Sequence, residues 1–96
     1  MYKISKEKLK EIIKKKEKIN LIDIREKYEW ENGKLSESNI PMDEFLGRIN
    51  EIRYNDDIII LYCKSGKRSK SLSFVIKQKF NLNIYYLEGG YENYIK

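Results

Sequence analysis

The pattern of apolar and polar positions predicts that strands and helices alternate along the chain. Short apolar runs predict strands near Tyr2–Ile4, at Leu21–Ile24, at 58–62 and at Ile84–Leu87. Segments with apolar residues at helical spacing predict helices over about 6–17, over Tyr28–Asn32, from Asp43 near the N-cap to about Ile52, and over about 69–80. Between them lie a stretch at Asn39–Met42 that Pro41 keeps short and a turn at Gly89-Gly90, which leads into a last helical turn.

This alternation predicts an α/β fold, a small and mainly parallel sheet with helices on both faces. A chain of 96 residues has room for one hydrophobic core, and its 41% apolar content is enough to fill one. We therefore expect residues 1–96 to form a single domain. Ligands of such sheets bind at the carboxyl ends of the strands, so candidate chemistry is sought there.

The charge distribution limits the classes of partner. The net charge of +5 comes from residues 1–18, which hold eight lysines and three glutamates, whereas residues 19–96 hold twelve basic and twelve acidic residues. Residues 5–18 contain no aromatic residue, so the basic segment lacks the interleaved aromatics of a nucleic-acid interface. No apolar run reaches membrane-spanning length, and residues 1–18 lack the apolar stretch of a signal peptide. We expect a cytoplasmic protein without nucleic-acid or membrane partners.

The chain has one cysteine, Cys63, which follows the most apolar strand and precedes a polar loop and a helix. A lone cysteine is more often a small buried hydrophobic residue, but such a residue would be expected inside the strand. Here five polar or glycine residues follow at once, namely Lys64, Ser65, Gly66, Lys67 and Arg68. Backbone N–H groups, the start of a helix and three cationic side chains all favour a thiolate at this point. With no partner for an internal disulfide, Cys63 is predicted to be a nucleophile kept available in a reducing compartment.

Separated segments of the chain resemble the rhodanese-like domain in order and spacing. They are LIDIRE at 21–26, CKSGKRS at 63–69 and LEGGYENY at 87–94, with EWENGKL at 29–35 and NIP at 39–41 in the intervening region. The resemblance covers about 20 to 96. The chain departs from the family in having no histidine, with Lys34 where many members have one, and in carrying Leu72 and Tyr94 at positions that usually hold a small residue and often a tryptophan. The last two are expected to be packing variants.

The resemblance implies a sulfurtransferase that needs no cofactor or metal. Cys63 would take the outer sulfur of a small anionic donor such as thiosulfate, or of a protein persulfide, and hold it as a persulfide. A thiol or cyanide acceptor would then remove that sulfur, so that the transfer is divided into two displacements. The N–H groups of the loop from Lys64 to Arg68 are expected to cradle the persulfide, with Gly66 allowing the loop to curl.

Two residues at the end of a neighbouring strand are predicted to organise the loop. Asp23 is expected to accept hydrogen bonds from loop amides or to pair with Arg68, the alternative being a helix or turn cap. Arg25 is expected near the same face, either at the site or in a structural pair with Glu29 or Glu44. The turn at Gly89-Gly90 is interpreted as a tight strand-to-helix connection and not as a ligand contact.

Two other functions remain open from the sequence. A cysteine-dependent phosphatase or arsenate reductase also closes an anion-binding loop with arginine, but its loop has one residue more than the four that separate Cys63 from Arg68. The shorter loop favours sulfur chemistry. A non-catalytic regulatory module would keep the fold without turnover, but such modules usually lose the cysteine that this chain retains.

Overall fold

The computed structural model describes residues 2–52 and 58–96, which contain a five-stranded sheet in the order β1-β5-β4-β2-β3. The strands are β1 (Lys3–Ile4), β2 (Ile19–Asp23), β3 (Ser38–Asn39), β4 (Ile58–Tyr62) and β5 (Ile84–Leu87). Each neighbouring pair is parallel. The predicted α/β class with a mainly parallel sheet is therefore confirmed.

The helices lie close to their predicted positions but differ at several ends. They are α1 (Lys6–Lys14), α2 (Lys27–Glu31), α3 (Met42–Phe45), which continues as a 3-10 helix over Leu46–Glu51, α4 (Lys67–Phe80) and α5 (Gly90–Tyr94). The first helix ends before the predicted residue 17, and Lys16 just beyond it adopts a left-handed φ of 56°. Pro41 is the N-cap of α3, so Asp43 lies inside the first turn.

The fourth helix begins two residues earlier than predicted, at Lys67 instead of 69. Gly66 is its N-cap and has a φ of 97°, a left-handed conformation that glycine adopts without steric cost. The chain therefore turns from β4 into α4 within a very short loop. That early start brings the N-terminal turn of α4 next to Cys63.

The sheet is covered on both faces, as the apolar pattern predicts. Ile59, Leu61 and Cys63 share one cluster with apolar residues of α3 and α4, whereas Ile60 and Tyr62 share another with α1. These alternating sides reflect the two-residue period of a strand. Both faces of β4 are thus buried, which explains its continuous apolar sequence.

The carboxyl ends of the central strands meet at one edge of the sheet. Asp23 and Tyr62, the last residues of β2 and β4, are paired in register, and β5 ends beside them at Leu87. The segments that follow these strands therefore come together at this edge. Within residues 2–52 and 58–96, none of the helices combines the length and the apolar character needed to cross a membrane.

Candidate active site

Cys63 lies at the carboxyl edge of the sheet with its thiol sulfur enclosed by the following loop. The residue is fully buried, and its Sγ accepts hydrogen bonds from the N–H of Gly66 at 3.1 Å and the N–H of Ser69 at 3.4 Å. The N–H groups from Lys64 to Arg68 were predicted to surround the sulfur. Of these, in the part of the chain that the structure describes, the N–H of Gly66 donates to it. Two backbone donors directed at one sulfur favour a negative charge there.

Ser69 is a site residue that the sequence interpretation missed. It is fully buried in the first turn of α4, and its Oγ lies 3.5 Å from Sγ of Cys63. The hydroxyl also donates to the carbonyl oxygen of Gly66 at 3.1 Å. Because the first N–H groups of a helix have no partner within it, the position of Ser69 at the predicted start of α4 already marked its amide as a free donor.

The charged side chains of the loop line its outer surface. Lys64, Ser65 and Lys67 are exposed, and Arg68 is partly exposed. The guanidinium of Arg68 lies 3.6 Å from the carboxylate of Glu29 on α2. The prediction that Arg68 pairs with Asp23 is therefore wrong, because α2 brings Glu29 to the loop.

Asp23 and Arg25 form a buried ion pair with each other. Arg25 donates from Nη2 to Asp23 Oδ2 at 2.7 Å and from Nε to Oδ1 at 3.0 Å, and both residues are almost completely buried. The backbone N–H of Arg25 also donates to Oδ1 at 2.8 Å, so Asp23 caps a turn, as the alternative interpretation proposed. Side chains two positions apart at a strand end project to the same side, which is why the two residues pair.

The prediction that Arg25 pairs with Glu29 or Glu44 is also wrong, because its side chain forms its hydrogen bonds with other groups. Besides Asp23, its guanidinium donates to the carbonyl oxygen of Gly33 and lies 4.3 Å from the ring centre of Tyr91. Burial disfavours the charged form, but the hydrogen bonds and charge of Asp23 outweigh burial and raise the pKa of Arg25 above its usual value. Arg25 therefore joins the end of β2 to α5 as a permanent cation.

The turn at Gly89-Gly90 is confirmed as a strand-to-helix connection, and it also contacts the Cys63 loop. Both glycines have left-handed φ angles, 78° and 67°. At the start of α5, the N–H of Tyr91 donates to the carbonyl oxygen of Cys63 at 2.8 Å and that of Glu92 to the carbonyl oxygen of Lys64 at 3.0 Å. The start of α5 thus holds the loop through the carbonyl oxygens of Cys63 and Lys64.

We expect Gly90→Ala to displace the loop and to reduce any activity of Cys63. A Cβ at this position would lie 2.5 Å from the carbonyl oxygen of Lys64 and 2.6 Å from that of Cys63, at a φ unfavourable for alanine. The left-handed conformation alone costs about 1–2 kcal/mol. Urea denaturation should show a loss of at least that size. Gly47→Ala is the matched control, because a Cβ there meets nothing within 4 Å, and an equal loss in both variants would contradict this account.

A cleft of about 340 Å³ borders the Cys63 loop. Lys64 of the loop lines it together with Arg25, Glu29 and Tyr91. The cleft thus combines an exposed ammonium group, a carboxylate and an aromatic ring next to the loop that encloses the sulfur.

Comparisons with known proteins give one consistent family. The model of the rhodanese-like domain matches residues 5–96. An uncharacterized protein of Bacillus subtilis, YqhL, is 37% identical over 78 residues, which cover 80% of this chain and 61% of that protein. YrkF of the same organism, named as a candidate sulfur carrier protein, is 35% identical over 77 residues, 79% of this chain and 41% of that protein. The chain thus spans about three-fifths of the length of the first relative and about two-fifths of the second.

The backbone of the chain also resembles that of a solved rhodanese-related structure. A rhodanese-related protein from Thermoplasma volcanium superposes with a TM-score of 0.86 at 29% sequence identity, covering 99% of this chain and 91% of the other. The parallel sheet, the flanking helices and the loop after the central strand therefore form a known arrangement.

Proposed function

Because the chain belongs to the rhodanese-like domain family, we propose that it is a sulfurtransferase that carries sulfane sulfur as a persulfide on Cys63. The thiolate attacks the outer sulfur of a donor such as thiosulfate, the sulfur–sulfur bond of the donor breaks, and sulfite leaves with the electron pair. A thiol or cyanide acceptor then attacks the outer sulfur of the persulfide, and Cys63 leaves as a thiolate. The cysteine is nucleophile in the first displacement and leaving group in the second.

The observation that carries this proposal is the convergence of two backbone N–H groups on one buried sulfur. Gly66 and Ser69 donate to Sγ at 3.1 and 3.4 Å. A hydrogen bond to a charged group contributes about 1.5–3 kcal/mol, so these donors can stabilise the thiolate with which the first displacement begins and the second ends. Neither displacement needs an acid or an imidazole, in agreement with a chain that has no histidine.

The charge of the loop favours an anionic donor or the exposed persulfide of another protein. Lys64 and Lys67 are exposed beside the buried sulfur, and Arg68 is partly neutralised by Glu29. These cations raise the local concentration of small anions. The similarity to a protein named as a candidate sulfur carrier supports a sulfur-related partner. A reducing cytoplasm would keep the thiol of Cys63 available for either donor.

We expect the native chain to transfer sulfur but not to hydrolyse p-nitrophenyl phosphate above the background of Cys63→Ser. The loop holds four residues between Cys63 and Arg68, and Gly66 and Ser69 already direct their N–H groups at the sulfur itself. Inserting one residue between Gly66 and Lys67 widens this ring and is expected to abolish sulfur transfer. Parallel assays with thiosulfate and the phosphate ester measure both activities. Robust phosphatase turnover that depends on Cys63 would favour the phosphatase function instead.

A further inference from the structure

The hydroxyl of Ser69 lies between two acceptors and has one proton to donate. Its Oγ is 3.1 Å from the carbonyl oxygen of Gly66 and 3.5 Å from Sγ of Cys63. The residue is fully buried, so water does not compete for the proton. A serine hydroxyl rotates to the better acceptor, and a thiolate is a better acceptor than a neutral sulfur.

The two half-reactions of sulfur transfer change the charge of Sγ in opposite directions. When Cys63 takes sulfur from a donor, Sγ turns from a thiolate into a neutral sulfur bonded to an outer, anionic sulfur. When an acceptor thiolate or cyanide takes the outer sulfur, the bond between the two sulfurs breaks and Sγ keeps the electron pair. Negative charge therefore develops on Sγ, next to Ser69, only in the second half-reaction.

We propose that Ser69 is a catalytic residue of the second half-reaction, in which its hydroxyl donates a hydrogen bond to Sγ as Cys63 departs from the outer sulfur. This inference rests on the proposed sulfurtransferase function. In the persulfide the hydroxyl donates to Gly66, and as the sulfur–sulfur bond breaks it turns to the developing thiolate. The proton stays on Ser69 throughout, so no proton transfer is needed. The group acts by stabilising charge that forms in the transition state.

The same hydrogen bond does not favour the first half-reaction. A donor to the thiolate stabilises the nucleophile before it attacks, and a more stabilised thiolate is a weaker nucleophile. Removing the hydroxyl should therefore slow discharge of the persulfide while leaving its formation unchanged or slightly faster. A purely structural Ser69, which only held Gly66 in place, would affect both half-reactions alike.

Ser73 provides a matched control in the same helix. Its Oγ donates to the carbonyl oxygen of Lys70 at 2.9 Å, the same three-residue separation that joins Ser69 to Gly66, and it is also buried. Among the described residues, no hydrogen bond joins Ser73 to Cys63. Ser73→Ala thus removes an equivalent bond to the helix backbone without removing a donor from the sulfur.

The test measures each half-reaction separately on the full chain. The protein is loaded with thiosulfate, freed of donor and mixed with cyanide, and intact-protein mass spectrometry follows the gain and then the loss of one sulfur atom. We expect Ser69→Ala to discharge at least about tenfold more slowly, the lower end of the effect of a hydrogen bond to a charged group, and to load within about twofold of the native rate. Ser69→Thr, which keeps a hydroxyl, and Ser73→Ala should discharge at nearly the native rate.

Three results would overturn the inference. Discharge of Ser69→Ala at the native rate, or equal slowing of loading and discharge, would show that the hydroxyl does not assist the leaving thiolate. Neither result would contradict the proposed sulfur transfer. A native chain that acquires no sulfur from thiosulfate, from a mercaptan donor or from a desulfurase persulfide would overturn the proposed function and this inference with it. Thermal melting verifies the fold of each variant, and Ser69→Gly provides a second hydroxyl-free variant should the alanine variant not fold.

Discussion

We expect Cys63→Ser to lose thiosulfate:cyanide sulfur transfer down to the uncatalysed background while keeping the native fold. A serine hydroxyl is not ionised near neutral pH and cannot form a persulfide, so both displacements lose their reacting atom. The fold is expected to survive because serine is nearly isosteric with cysteine and because the N–H groups of Gly66 and Ser69 can donate to its oxygen. Steady-state formation of thiocyanate measures the activity.

Thermal melting of the serine variant separates loss of chemistry from loss of structure. The melting midpoint should remain close to that of the native chain, since the enclosed volume and the two backbone hydrogen bonds are retained. A folded variant with native sulfur transfer would show that Cys63 is not the nucleophile.

The largest loss of stability is expected from Asp23→Asn. This change leaves the buried guanidinium of Arg25 without its carboxylate, which accepts three hydrogen bonds from the Arg25 side chain within 3.1 Å and one from its backbone. Removing one partner of a buried ion pair typically costs about 3–5 kcal/mol, because a charge remains in a poorly solvated site. Urea denaturation followed by circular dichroism measures the difference in the free energy of unfolding.

Glu51→Gln is the matched control for this prediction. Arg48 donates to the Glu51 carboxylate from Nε and Nη2, both at 2.9 Å, but this pair is largely exposed to solvent. Water and salt screen exposed pairs, so the urea midpoint of this variant should be nearly unchanged. A loss in Asp23→Asn no larger than in Glu51→Gln would contradict a structural role for the buried pair.

The parts of the fold that could be predicted from the sequence are those set by local pattern. The apolar run at 58–62 is buried on both faces of the sheet, which marks it as a central parallel strand. The polar loop after it, with Gly66 at the turn, follows directly from the residue types. Because parallel strands end at one edge, the meeting of the segments after β2, β4 and β5 could also be anticipated.

The ion pairs between charged side chains were predicted less well, because they depend on how the helices pack onto the sheet. Arg68 pairs with Glu29 once α2 lies beside the loop, and no sequence pattern specifies that orientation. The pairing of Asp23 with Arg25 is different, since the two-residue period of a strand already places both side chains on one side. Ser69 was missed because the predicted cradle ended at Arg68, whereas α4 begins at Lys67 and its first turn brings the Ser69 amide to the sulfur.

The most direct test of the proposed persulfide is intact-protein mass spectrometry of the full chain after incubation with thiosulfate. We predict that the native chain gains the mass of one sulfur atom, that fragmentation places this sulfur on Cys63, and that cyanide removes it. Cys63→Ser should gain nothing under the same conditions. The absence of any sulfur on the native chain after incubation with thiosulfate, with a mercaptan donor and with a desulfurase persulfide, or an equal gain in Cys63→Ser, would contradict sulfur transfer through Cys63.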